Sequence, residues 1–406
     1  MFIKLVFISL AILLAIRFFF FYQNQPEYYN GQYLSFEADL LSQPQIFSRT
    51  QRITVFLPGG RRVFITVPLF PQFYYGDRIH IVGNLSVKLL NNSDQIYIMN
   101  FPKIEAKKSS GNKILAVTSF IRQKVISIFE STLPQTPSGL LLGIVFGIKE
   151  GIPRDFYESL RTSGTLHVTA ASGMNVTMVG GFLSALFAFF LRRQIAVLAS
   201  IAGILFYAVL AGLEPSIVRA SIMGTLVFSA QILGRQNLAV YGLFLTGYFM
   251  LLFNPNLLFD IGFQLSFLAT AGLLFIFPLF NFKNLIIGSD LATTLSAQLA
   301  VLPILLSSFG TYSLWSILTN TLVLWSIPFL MILGGLGALI GFVFEPLASF
   351  FLYLSLPLLL YFEKAVNTFA GFGGMNLNIT SWQFILGYYS LLTALVLFLN
   401  SKRKLN

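Results

Sequence analysis

Hydrophobic and polar positions along this chain fall into three regimes, each predicting a different kind of element. From Phe2 to Tyr22 the positions are apolar apart from Lys4, Ser9 and Arg17. That run is as long as one membrane helix needs. It continues through four consecutive Phe into Tyr22-Gln-Asn-Gln-Pro26 with no small-residue cleavage pattern, so 1–22 is predicted as an uncleaved membrane anchor rather than a signal peptide. Arg17 is long enough to reach towards an interface.

Residues 23–108 alternate with period two. Arg52 to Val67 reads as strand, tight turn, strand, and Gly59-Gly60 supplies the positive φ of a hairpin. Tyr75–Leu85 and Asp94–Met99 are further strands. The length suits a small OB-like β-barrel. Arg49, Arg52, Arg61, Arg62, Arg78 and Lys88 fall within it. They form either a face for a polyanionic strand or an ordinary solvated surface.

Residues 109–163 are predicted as a linker. Within it Ile114, Val117, Ile121, Val125 and Ile128 recur at helical spacing with Arg122, Gln123 and Lys124 opposite, which predicts an amphipathic interfacial helix. Leu141–Pro153 is too short to span and reads as re-entrant. The rest, 164–400, is membrane. Spans are predicted at 173–191, 195–213, 216–234, 237–254, 257–281, 290–309, 313–342, 346–371 and 381–400, before a basic tail at 401–406. Pro303, Pro328, Pro346 and Pro357 are placed to break or kink them. The fold class is therefore a polytopic α-helical membrane protein of about ten helices, with a small N-terminal extracytoplasmic OB-like β-barrel domain.

Composition sharpens this. Hydrophobic residues make up 56% of the 406 and charged residues only 10%, and no Asp, Glu, Lys or Arg occurs from Leu291 through Phe344. With Lys4 cytoplasmic, Arg192-Arg193, Arg235, Lys283 and Lys402-Arg-Lys404 all fall on the same face, so both termini are predicted to be cytoplasmic. The net charge of +11 partly reflects this bias and partly suits a polyanionic client. There is no cysteine, and the two histidines, His80 and His167, lie in no local metal-binding motif. Disulfides and thiol chemistry are excluded, and no metal or cofactor is expected.

Three polar clusters interrupt the apolar segments. Gly164–Val176 places His167, Ser172 and Asn175 around a run of small residues. Ala211–Ser221 places Glu214 and Arg219 at a helix start. Leu258–Ala269 places Asp260 and Gln264 on one helix face, and Gln298 stands alone further on. Such groups are costly in lipid, so they face a cavity or a partner helix. For Arg219 a structural ion pair and an anion contact both stay open. No pair of acids for acid–base work is evident, and Ser172 with His167 lacks a local orienting acid, so no catalytic residue is assigned.

At these clusters the chain resembles the ComEC competence family, bacterial inner-membrane DNA uptake proteins. The resemblance covers about 135 to 345. It rests on Gly164-Thr-Leu-His-Val-Thr-Ala-Ala-Ser-Gly-Met-Asn175, Pro215-Ser-Ile-Val-Arg-Ala220, Asn254-Pro-Asn-Leu-Leu-Phe-Asp-Ile-Gly-Phe-Gln-Leu-Ser266 and Gln298-Leu-Ala-Val-Leu-Pro303, in that order. Many members have His where this chain has Asn175, and many end in a metallo-β-lactamase-like domain. No metal-ligand cluster occurs before Asn406, so a nuclease activity is not expected of this sequence. The resemblance implies a channel for single-stranded DNA across the bacterial cytoplasmic membrane during natural transformation. Its path would use His167, Ser172, Asn175, Glu214, Arg219, Asp260, Gln264 and Gln298. Expected partners are the lipid bilayer, a DNA receptor, a separate nuclease and a cytoplasmic ATP-driven motor or single-strand-binding proteins, because no GxxxxGK[ST] loop is present. A carrier for another anionic solute or lipid, with the β domain as scaffold, and an intramembrane hydrolase using Ser172 and His167 are the competing readings.

Overall fold

The computed structural model describes residues 2–40, 44–46, 49–90, 94–107, 113–149, 151–232, 239–280, 288–309, 311–313, 315–373, 375–376 and 382–405. The predicted loop cations Arg235 and Lys283 lie outside the described residues. The chain divides into two compact units: Met1–Ile126 with Tyr248–Asn256, and Ser127–Gly247 with Leu257–Asn406.

The first unit opens with α1 (Phe2–Gln23), followed by eight strands: β1 (Tyr33–Asp39), β2 (Gln45–Ile46), β3 (Thr50–Phe56), β4 (Arg62–Pro68), β5 (Arg78–Asn84), β6 (Ser86–Leu90), β7 (Asp94–Asn100) and β8 (Lys103–Lys107). The predicted hairpin is β3–β4. Ile53 pairs with Ile65 and Phe56 with Arg62, while Gly59 and Gly60 take φ of 94° and 80° in the turn. Period two shows directly in burial: Gln51, Ile53 and Val55 point inward, as do Val63, Ile65 and Val67.

The strands do not form one closed barrel among the described residues. They form a three-stranded sheet, β1-β5-β8, and a five-stranded sheet, β2-β3-β4-β7-β6. Phe36, Ile79 and Ile81 of the smaller sheet share one apolar core with Ile53, Val55, Val63, Ile65 and Met99 of the larger. Alternation identifies the inward face of each strand, but it carries no information about which strand lies alongside. Here β4 takes β7 as a parallel neighbour, Val63 opposite Tyr97, which sequence order does not suggest.

Helix α2 (Lys113–Thr132) departs from the predicted amphipathic face. Ile114 and Val117 are exposed, whereas Leu115, Arg122, Val125, Ile128 and Phe129 are buried. The Arg122 guanidinium lies 4.8 Å over the ring of Tyr75, a residue that is itself buried. A flat cation stacked on an aromatic face tolerates burial that a solvated Lys would resist, and this puts Arg122 on the inner side.

The second unit is helical. Its elements are α3 (Gln135–Phe146), α4 (Arg154–Thr162), a 3-10 turn Leu166–Thr169, α5 (Gly173–Phe190), α6 (Arg193–Leu210), α7 (Pro215–Ile232), α8 (Ala239–Phe253, whose end belongs to the first unit), and a 3-10 turn Pro255–Phe259. They continue with α9 (Ile261–Phe275), α10 (Gly288–Phe309), β9 (Thr311–Tyr312), α11 (Ser316–Leu324), α12 (Ile327–Gly341), α13 (Glu345–Ala370), β10 (Met375–Asn376) and α14 (Trp382–Leu405). Among the described residues six helices are long and apolar enough to cross a membrane: Leu166–Phe190, Arg193–Leu210, Ile261–Leu279, Gly288–Ser308, Glu345–Ala370 and Trp382–Lys402. A seventh arises if α11 and α12, bent by 50°, are one span. The chain is a multi-pass membrane protein. The other three predicted crossings coincide with shorter apolar helices, Ile8–Gln23, Pro215–Ala230 and Ala239–Phe253.

The four prolines divide in two. Pro328 and Pro346 sit in the first turn of α12 and α13, where no amide bond is lost. Pro303 and Pro357 lie inside α10 and α13 without ending them. Helix α3 is too short to span and is buried over every residue from Pro137 to Phe146. It ends on Gly147 in the left-handed region, φ 70°, whose amide donates to Gly143 O at 2.9 Å.

Candidate translocation site

The polar groups of the second unit gather around the end of α3. The last carbonyls of a helix lack internal donors and must find others. Asn175, buried near the start of α5, donates Nδ2 to Ile144 O at 2.6 Å, and the buried Tyr207 of α6 donates its hydroxyl to Val145 O at 2.7 Å. Ser172 Oγ donates in turn to Asn175 Oδ1 at 3.1 Å. The small residues Ala170–Gly173 let these backbones approach, and Ser216 Oγ of α7 donates to Ala171 O at 3.1 Å.

Arg219 is buried one turn into α7. Its Nε donates to Ser266 Oγ of α9 at 2.7 Å and its Nη1 to Met223 Sδ at 3.3 Å. Among the described residues no carboxylate lies within ion-pair distance of it. A Cβ built on Gly173 would stand 3.0 Å from Nη2, so the guanidinium lies against the small-residue run. Glu214, which sequence places closest to Arg219, pairs instead with Lys149 at 3.4 Å on the half-exposed side.

The remaining predicted residues are held pairwise. Asp260 caps α9, accepting from Phe263 N at 2.9 Å, and Gln264 donates back to Leu258 O at 2.8 Å. Gln298 Nε2 donates to Ser316 Oγ at 3.1 Å, joining α10 to α11. His167 is exposed on its 3-10 turn, and Ser172 bonds Asn175 rather than His167. The structure therefore brings Ser172, Asn175 and Arg219 around one junction through Gly173, with Glu214 beside it. Asp260, Gln264 and Gln298 serve contacts of their own. Sequence reasoning missed Tyr207, Ser266 and Lys149. Ser266 closes one of the quoted motifs, but a lone Ser in an apolar helix also reads as a small packing residue. Tyr207 carries no signal at all among its apolar neighbours.

On the β domain the six predicted cations separate. Arg52, Arg62 and Lys88 lie on the outward face of the five-stranded sheet, beside Phe56 and Phe64, and Arg49 is exposed just before β3. Arg62 sits 5.8 Å over Phe56. Arg61 turns back to the Tyr97 hydroxyl and ring, and Arg78, on the other sheet, pairs with Glu37 at 3.0 Å.

The Competence protein family model matches residues 144–402, a span holding all four motifs and the junction around α3. This chain belongs to the Competence protein family. ComE operon protein 3 of Bacillus subtilis (strain 168) is 27% identical over 288 residues, covering 70% of this chain and 35% of that protein. The chain thus spans about a third of that relative's length. An uncharacterized protein of Aquifex aeolicus (strain VF5) is 28% identical over 311 residues, 72% of this chain and 71% of the other. No solved structure matches. Membership in the Competence protein family bears out the resemblance read from the motifs.

Proposed function

We propose that this competence protein is the conduit through which single-stranded DNA enters across the bacterial cytoplasmic membrane. Arg219 carries the reading. An ionised guanidinium in an apolar helix is expensive unless it meets an anion. Here its partners, Ser266 and Met223, are neutral. Its charge is left for a transient anion, and a guanidinium matches phosphate oxygens with two parallel donors. The aromatic and basic outward face of the five-stranded sheet supports the same client, since bases stack on Phe while cations follow the backbone. In this proposal that domain works as an OB-type strand binder outside the membrane. The chain crosses about ten times with both termini cytoplasmic, in keeping with its basic loops. A DNA receptor, a separate nuclease and an ATP-driven motor or single-strand-binding proteins act with it.

The test is uptake of labelled DNA into the cytoplasm of a deletion strain carrying Arg219→Gln or Arg219→Lys. Losing a charge-assisted phosphate bond of about 1.5–3 kcal/mol lowers uptake roughly tenfold to hundredfold for Gln, with the Lys variant in between. Unchanged uptake in the deletion strain overturns the proposal. Arg219 serves another small anion or an anionic lipid equally well. Binding to purified protein that inorganic phosphate abolishes but single-stranded DNA does not would favour that carrier.

A further inference from the structure

Lys149 joins Arg219 at the small-residue run Ala170–Gly173. Gly147, two residues before Lys149, packs on that run: a Cβ built there would stand 3.2 Å from the Ala171 side chain and 3.6 Å from Ala211 O. Arg219 reaches the same run at Gly173, with Nη2 3.0 Å from the position of a built Cβ. Two cations therefore border one short stretch of small side chains. The turn that ends α6 brings a carboxylate to Lys149. Gly212 and Leu213 both take left-handed backbone, φ 93° and 54°, and Leu213 N donates to Ala208 O at 3.0 Å. Leucine seldom adopts this conformation, and it persists where the surroundings over-determine it, often at functional sites. The next residue is Glu214. Its backbone carbonyl accepts from Ile217 N and Val218 N at the start of α7, while its side chain leaves the helix for Lys149.

The pair so formed is weak. Nζ and Oε1 are 3.4 Å apart, whereas a charge-assisted bond is ordinarily about 2.7–2.9 Å. The two side chains are 34% and 39% exposed, and an ion pair that wet contributes little to a fold. Among the described residues neither charge has another partner, so two of the three ammonium donors are unused. We infer that Lys149 is a second phosphate contact of the Arg219 site and that Glu214 is its resting counter-ion, displaced when a phosphate arrives. This role rests on the reading of Arg219 as an anion contact. The two cations suit successive tasks: Arg219 is a buried planar fork, and Lys149 is a mobile point charge on the more exposed side. Phosphate and carboxylate compete for one ammonium, so a bound anion and the Glu214–Lys149 pair exclude each other. The displaced carboxylate stays beside the positive end of α7, which favours it there. A competitor of this kind also lets the phosphate go again, as passage through successive contacts requires.

The test is titration of the purified full-length chain in detergent with a fluorescent single-stranded oligonucleotide. Glu214→Gln removes the competitor and should tighten binding about two- to fivefold. A gain of affinity cannot come from a misfolded chain. Lys149→Gln should weaken binding about five- to tenfold and flatten the slope of log affinity against log salt by about 0.7, one phosphate contact. Lys149→Arg should keep both near wild type. With Lys149→Gln in place, adding Glu214→Gln should bring no gain. A purely structural ion pair predicts the reverse: each single change weakens binding and the double change restores it. Glu158→Gln removes the same charge from an ion pair on α4 and measures the general effect of net charge. The role of Lys149 and Glu214 is overturned if Glu214→Gln binds no more tightly than Glu158→Gln, or if the double variant regains wild-type affinity. Arg219→Gln in the same titration keeps the two levels apart. Wild-type binding by that variant removes the anion site altogether. Weakened binding by it, with no gain from Glu214→Gln, removes only the second contact. Inorganic phosphate binding that follows the same ranking of variants, without oligonucleotide binding, would keep the site and assign it to a free anion.

Discussion

At the scale of single residues, the junction around α3 is organised by what burial does to polar groups. The carbonyls of Ile144 and Val145 end a buried half-length helix and take their donors from Asn175 and Tyr207. Tyr207→Phe removes only a hydroxyl and leaves Val145 O buried without that donor. A loss of about 1–3 kcal/mol follows, read as a lower thermal midpoint of the purified protein in detergent. A wild-type midpoint would mean that water replaces the hydroxyl. Arg219 shows the opposite arrangement: its surroundings satisfy its shape and part of its donor capacity but, among the described residues, no carboxylate meets its charge. Asp260, equally polar and equally prominent in the sequence, has a plain local task as the cap of α9, where a carboxylate also meets the positive end of the helix.

Between elements, close backbone approach fixes how the short α3 is seated. A Cβ built on Gly139 would lie 2.6 Å from the carbonyl of Gly151, a backbone contact that no side-chain rotation relieves. Gly139→Ala must therefore push the loop after α3 away, at a cost of about 1–3 kcal/mol. Limited proteolysis should show faster cleavage near 147–153, while Gly181→Ala, where a Cβ meets open space, should leave the digestion pattern as it is. Equal digestion of both variants would refute the tight approach. The prolines teach the same lesson at this scale. Their effect depends on position in the helix, so Pro328 and Pro346 start helices while Pro303 and Pro357 are absorbed within them.

For the whole molecule, the consequence is an electrostatic one. If Arg52, Arg62 and Lys88 follow a DNA backbone, single-strand binding by the full chain in detergent should weaken with salt. The slope of log affinity against log salt should be about −2 from these three contacts. Alanine at any one of them should flatten it by about 0.7, and alanine at Arg78, whose charge Glu37 already meets, should leave it nearly unchanged. A slope that ignores all four substitutions would move the binding surface elsewhere.

By itself the sequence determined which face of each strand is apolar, where the hairpin turns, which segments are greasy enough for a membrane, and the order of the four motifs. These are local properties, written in period two, in unbroken apolar runs and in short fixed spacings. Only the tertiary structure decided that β4 lies beside β7, that two sheets share one core, that Arg122 faces inward over Tyr75 and that Tyr207 closes the end of α3. Each of these is a choice among distant partners with similar local chemistry. Such choices are made by packing and by the need to satisfy every buried polar group, and neither is recorded at any one position of the chain.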